Sequence, residues 1–188
     1  MNAMEIQLAD HIRATIAPAL AAVDVPHLVI GGLATGAYLP GRATRDIDIL
    51  IAASDVTRAM AALERAGARL CGPLIATIGG GTIWVLLDGT EIDLIVSGSP
   101  WVARALATPR AWDRMALIDL PYLVVAKMLP GRPRDEDDIA GMLAHADGDA
   151  LAAVRRVVAT ELPERVDDVD AYLFIGLAGR AVEPVFVH

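Results

Sequence analysis

The sequence predicts an α/β (α+β) chain, β-rich with interleaved helices over its first two-thirds and helical over its last third. Three observations lead there. Short apolar runs of strand length, such as 27–30 and 46–51, stop at glycine or at a helix-capping residue. Asp88-Gly89 separates two apolar alternations, the strongest short-range signal for a hairpin. From Leu120 onward apolar residues recur at helical spacing among many alanines.

The elements follow in order. Residues 4–23 carry Ile6, Ile12, Ile16, Leu20 and Val23 at helical intervals and read as one helix, with Pro18 its weakest point. Residues 27–30 are a buried strand ending at Gly31-Gly32, and 33–38 a short helix closed by Leu39-Pro40-Gly41. The second strand is 46–51. Ser54 is placed as the N-cap of a helix to about 66, which Gly67 ends. Residues 69–77, 82–87 and 91–96 read as three strands, with turns at Gly79-Gly80-Gly81 and Asp88-Gly89. A short helix at 100–107 and a strand within 112–118 come next. Asp119 starts a helix with Pro121 in its first turn, running to about 129. After the loop at 130–133, helices follow at 135–145, 148–160 and 166–178, and the tail from Ala181 is expected to be extended. The expected division is a core at 1–118 and a helical C-terminal region at 119–188, packed on the core.

Composition narrows the function. The chain has 188 residues, 55% hydrophobic and 21% charged, with a formal net charge of −8. That suffices for a sizeable core and argues against wrapping a long nucleic acid, which needs a broad basic surface. A local basic pocket from Arg42, Arg45, Lys127, Arg132 and Arg134 remains compatible. Cys71 is the single cysteine, so no internal disulfide or thiolate cluster forms. The histidines at 11, 27, 145 and 188 lack ligand spacing, which argues against zinc. No signal peptide and no membrane-spanning run is read, and the expectation is a cytoplasmic protein with no membrane partner.

Chemistry concentrates in the acids. Asp46 and Asp48 are one residue apart in a run otherwise made of Ile47, Ile49, Leu50 and Ile51, and strand alternation would point both to one face. Two adjacent carboxylates repel and resist burial, and a cation between them removes both difficulties. Asp93 repeats the apolar-Asp-apolar pattern in Glu91-Ile92-Asp93-Leu94. A solvated edge strand is the plain alternative. Three acids from two strands suit one or two Mg²⁺ ions, which take carboxylates together with substrate phosphate oxygens. Gly31-Gly32 follows a strand and opens a helix, so its N–H groups could approach phosphate. Neither a P-loop nor a dinucleotide fingerprint is present.

Gly31-Gly32, Asp46-x-Asp48 about fourteen residues later and Asp93 in a later strand resemble the nucleotidyltransferase superfamily of the DNA polymerase β type. The stretch 41–49 is typical of its small bacterial members. A second stretch, Asp119-Leu120-Pro121, Lys127-Met128-Leu129 and the 132–138 run, is similar to the AbiEii-like nucleotidyltransferases, toxins of abortive-infection systems. The resemblance implies a short mixed sheet flanked by helices and a helical C-terminal region. It implies transfer of an NMP from an NTP to an acceptor hydroxyl or phosphate. The acceptor is open between RNA, protein and a small molecule, and an antitoxin is the partner a toxin would have. Two Mg²⁺ ions would be held by Asp46, Asp48 and Asp93, with Asp93 also helping to activate the acceptor. Gly31 and Gly32 would cradle the β- and γ-phosphates, and Thr35, Arg42 and Thr44 are candidates near the triphosphate. An aminoglycoside-type antibiotic nucleotidyltransferase and a non-catalytic nucleotide-binding module of the same fold are the alternatives.

Lys127 lies in an apolar helical run. Its ammonium either snorkels to water or contacts the triphosphate. Asp135 and Asp138 are read as helix-start acids, with Asp135 a candidate partner of Lys127 or Arg134. Trp84, Trp101 and Trp112 are expected in the core or at a site rim.

Overall fold

The computed structural model describes residues 3–42, 44–72, 75–77, 80–112 and 115–182, and the chain divides into two compact units: 1–37 with 41–119, and 38–40 with 120–188. In the first unit, α1 (Ala3–His11), a π-helical segment (Ile12–Ile16) and α2 (Ala17–Ala21) follow without a break. Leu8, Ile12, Ile16 and Leu20, four residues apart, form the buried stripe. The π segment departs from the uniform helix expected at 4–23. It ends two residues before Pro18, which lacks the N–H that an α-helical ladder needs.

Strand β1 (His27–Ile30) leads into α3 (Gly31–Gly36) and pairs antiparallel with β2 (Ile47–Ala52). Helix α4 (Val56–Arg65) follows a 3-10 turn at Ala53–Asp55, so its cap position is Asp55 and not Ser54. The Asp55 carboxylate pairs with Arg58 instead of capping the helix N–H groups. Gly67, at φ +100°, ends this helix as expected.

The strand expected at 69–77 is two strands, β3 (Arg69–Leu70) and β4 (Ile75–Thr77), and both pair antiparallel with β5 (Gly80–Leu87). Gly80 and Gly81, read as turn residues, belong to β5, and Gly79 lies outside the described residues. Asp88 and Gly89 have φ of 50° and 79°, the left-handed pair that a two-residue hairpin needs, and they join β5 to β6 (Thr90–Ser97). Beyond α5 (Pro100–Ala107), β7 (Arg110–Trp112) and β8 (Met115–Leu117) form an antiparallel pair where one strand was expected within 112–118.

The sheet of the first unit runs β3-β5-β6-β2-β1-β8-β7, with β4 also on β5. It is mixed: β2–β6 and β1–β8 are parallel and the remaining pairs antiparallel. Helices flank it, and its middle strands carry the core. Leu28, Val29, Ile47, Ile49, Leu50, Ile51, Ile92 and Leu94 are buried. On β2 this leaves Asp48 and Ala52 as the two partly exposed positions.

The second unit is helical: α6 (Leu120–Met128), α7 (Pro133–His145), α8 (Gly148–Glu161) and α9 (Val166–Val182), the last preceded by a 3-10 turn at Pro163–Arg165. Helix α7 begins at Pro133, two residues before the expected Asp135, because proline suits the first helical position. Asp147 caps α8 by accepting the Ala150 N–H at 2.8 Å. Helices α7 and α9 cross so closely at Gly176 that a Cβ there would lie 2.0 Å from the Ala140 carbonyl oxygen. Arg165 ties the bundle by donating to the Met128 carbonyl, Asp168 and Tyr172. The tail expected to be extended from Ala181 is helical to Val182, and the rest lies outside the described residues. Among the described residues no helix is long and apolar enough to cross a membrane.

Candidate active site

The middle of the sheet positions the acids. Parallel pairing of β2 with β6 puts Asp48 directly beside Asp93. Neighbouring strands are about 4.8 Å apart, so the two side chains rise from one face as neighbours. On the other side of β2, Ile30 pairs with Asp48, and the next residue, Gly31, turns into α3 at φ +61°. A Cβ at Gly31 would meet Asp48 Oδ2 at 1.8 Å, Cγ at 2.4 Å and Cβ at 2.8 Å. The backbone of the glycine turn therefore lies directly against the Asp48 carboxylate, and only a residue without a side chain permits it.

Asp46 is placed differently from the expectation. It stands exposed in a bend just before β2, so strand alternation does not align it with Asp48. Its N–H donates to the Thr44 hydroxyl at 3.4 Å, a local turn that competes with ladder pairing. The same hydroxyl abuts the second glycine: a Cβ on Gly32 would lie 2.5 Å from Thr44 Oγ1. Gly31 is thus joined to Asp48 and Asp93, and Gly32 to Thr44 and Asp46.

Electrostatics link the two halves. Asp93 is pushed above the usual carboxylate value, first by burial, then by the negative charges of Asp46 and Glu91. A bound cation would relieve all three. Among the described residues the acids do not converge into a preformed cage of three ligating side chains. Mg²⁺ does not need one, since it binds through one or two carboxylates and completes its octahedron with water and phosphate oxygens. The donor set fits such an ion: oxygen-only, anionic and open on one side.

Other expected residues have different surroundings. Thr35 is fully buried, and its hydroxyl donates to the Gly31 carbonyl at 2.8 Å. It holds the glycine turn from inside the core. Arg42 lies half-buried in the loop before β2. Lys127 is 7% exposed, and its ammonium donates to Asp135 at 2.9 Å and Asp138 at 2.8 Å within the helical unit. It neither snorkels to water nor stands uncompensated, and both acids have a use beyond the start of α7.

Two more residues share the acid face: Trp84, one of the three tryptophans expected in the core or at a site rim, and Glu91, which the sequence did not single out. Trp84 pairs with Asp93 across the hairpin, and Glu91 lies two positions before Asp93 on the same side of β6. The signal was present. A two-residue turn at Asp88-Gly89 pairs residues at equal distances before and after it, which puts Trp84 opposite Asp93. Glu91 and Asp46 also line a cleft of about 330 Å³, with Leu8, Arg45, Gly89 and Thr90.

No family model matches the sequence, and no curated protein matches it. Solved structures do resemble it in fold. The antibiotic-resistance factor ANT(2'')-Ia aligns over 95% of this chain and 97% of its own at 14% identity and a TM-score of 0.52. An H. pylori protein described as a nucleotidyltransferase aligns over 94% and 84% at 13% identity and a TM-score of 0.50. A Thermotoga maritima protein described in the same way aligns over 74% and 94% at 14% identity and a TM-score of 0.51. At such identities the likeness concerns the fold alone.

Proposed function

We propose that the protein is a metal-dependent nucleotidyltransferase that moves an NMP from an NTP to an acceptor hydroxyl. The observation that carries this reading is the Asp48–Asp93 pair, in register on adjacent parallel strands, with the Gly31 backbone pressed against Asp48. Asp46, Asp48 and Asp93 would hold Mg²⁺. When bound, the ion would supply charge neutralisation for the triphosphate and for the developing pyrophosphate. The Gly31 and Gly32 N–H groups would receive the β- and γ-phosphate oxygens, and Thr35 would keep that turn in place through the Gly31 carbonyl. Thr44 holds Asp46 from its loop. Asp93, beside Asp48 on the adjacent strand, would orient the attacking hydroxyl and accept its proton. The acceptor O–Pα bond forms, the Pα–O bond to the β-phosphate breaks, and pyrophosphate leaves.

A small-molecule acceptor is favoured over RNA by the acidic face and by the net charge of −8. The fold shared with ANT(2'')-Ia, an antibiotic-resistance factor, supports the same choice. The toxin reading and its antitoxin partner rest on the 119–138 segment. In the structure Lys127 of that segment donates to both Asp135 and Asp138, which makes them a structural cluster in this reading.

The test is pyrophosphate release from each NTP with Mg²⁺ and candidate acceptors, alongside triphosphate binding by calorimetry. Asp48→Asn and Asp93→Asn should each lower turnover by about a hundredfold or more, as for loss of other groups that stabilise transition-state charge. Triphosphate binding that does not need Mg²⁺, or an Asp48→Asn variant equal to wild type, overturns the proposal. Binding without pyrophosphate release under any condition points to a nucleotide-binding module.

A further inference from the structure

Trp84 is a large indole left open on the working face of the sheet. Antiparallel pairing of β5 with β6 sets it opposite Asp93, and parallel pairing of β6 with β2 sets Asp93 beside Asp48. Trp84, Asp93 and Asp48 therefore form one row across three adjacent strands, with side chains on one face. Trp84 is 42% exposed, whereas Trp101 is buried. Open indole surface forgoes the burial that usually accounts for tryptophan in a sheet, and here it lies next to the carboxylate assigned to the attacking hydroxyl. Glu91 stands on the same face two residues before Asp93, exposed, at the border of the cleft that Asp46 also lines.

We propose that Trp84 is an acceptor-binding residue. Its ring supports the part of the acceptor adjoining the attacking hydroxyl, and that part carries a protonated amine held between the indole and Glu91. The inference rests on the nucleotidyl-transfer reading and names the acceptor class for it. Tryptophan offers the strongest aromatic surface for a cation, and a carboxylate on the same face adds attraction of the same sign. A nucleobase would stack on the same ring, but its phosphates would meet Glu91, Asp46 and Asp93 on a protein of net charge −8. An amine-bearing polyol has no such conflict and brings both the cation and the hydroxyl.

Calorimetry on the full chain, with Mg²⁺ and a non-hydrolysable triphosphate present, tests this with four probes: spermine, a glucosamine trimer, its N-acetylated form and a short oligouridylate. The amine-bearing probes should bind, and the N-acetylated trimer, of similar shape but without charge, about tenfold or more weakly. Trp84→Ala should weaken the amine probes about tenfold, Trp84→Phe about threefold, and Glu91→Gln severalfold with a shallower salt dependence. Triphosphate affinity should stay within about twofold in Trp84→Ala, which separates a local acceptor contact from general damage. The proposal is overturned if Trp84→Ala binds the amine probes like wild type, if neither amine probe binds, or if acetylation changes nothing. Trp84-dependent binding of the oligouridylate in place of the amines also overturns it. None of these results touches the parent reading, which fails separately if wild type does not bind the triphosphate with Mg²⁺.

Discussion

Replacing Gly31 with alanine puts a methyl group where the Asp48 side chain already stands. Two effects add. The backbone at φ +61° becomes left-handed for an L-residue, which costs about 1–2 kcal/mol. The new Cβ would also meet Asp48 Oδ2 at 1.8 Å and Cβ at 2.8 Å. Rotating the Asp48 side chain relieves the first contact but not the second, because the Asp48 Cβ is fixed to the backbone of a central strand. That strand or the glycine turn must shift, an overpacking cost of about 1–3 kcal/mol. The expected loss is about 3 kcal/mol, seen in urea as a lower midpoint at unchanged slope and in scanning calorimetry as a melting point lower by about 6–12 °C. Gly41→Ala provides the internal control. Its φ is +82° and nothing lies within 4 Å of its Cβ position, so it reports the backbone effect alone. The difference between the two variants isolates the close approach to Asp48. A Gly31→Ala protein no less stable than Gly41→Ala would refute the contact and, with it, the placement of the glycine turn against the carboxylate.

Three further predictions concern charge. Lys127→Met removes the cation from two carboxylates largely withdrawn from water, and should destabilise the chain by about 3 kcal/mol in urea unfolding; a change below about 1 kcal/mol would mean that Asp135 and Asp138 find water instead. Asp93 binds its proton more tightly in the folded chain than in the unfolded one, so in the window from the ordinary carboxylate value up to its raised folded value the native state holds the extra proton. Without metal, stability should therefore fall as pH rises through that window. Asp46→Asn should move the Asp93 titration, followed by carboxyl NMR, down towards the ordinary value, with burial keeping part of the shift. A titration unmoved by Asp46→Asn would show that the two acids do not sense each other.

Much of the candidate site was legible in the sequence because its signals are local. Gly31-Gly32 after an apolar run, Asp48 inside one, and Asp88-Gly89 between two alternations each act within a few residues, and the structure keeps all three. Where the expectations went astray, a competing local interaction won. Thr44 draws Asp46 into a bend, Asp55 displaces Ser54 at the start of α4, and Pro18 is preceded by a π segment in what otherwise reads as uniform helix. Thr35, a candidate near the triphosphate, bonds back to the Gly31 carbonyl, a contact that a hydroxyl one turn into a helix does not announce in the sequence.

By itself the sequence determined which residues carry charge, which must lack a side chain, and which turn closes the hairpin, since alternation and dihedral preference depend only on near neighbours. Tertiary structure alone decided that β2 pairs with β6 in the register that sets Asp48 against Asp93, and that Lys127, for which the sequence offered Asp135, also faces Asp138. The first depends on the order of strands across the sheet and the second on the angle between two helices. Long-range packing settles both, and neither leaves a mark in any short stretch of residues.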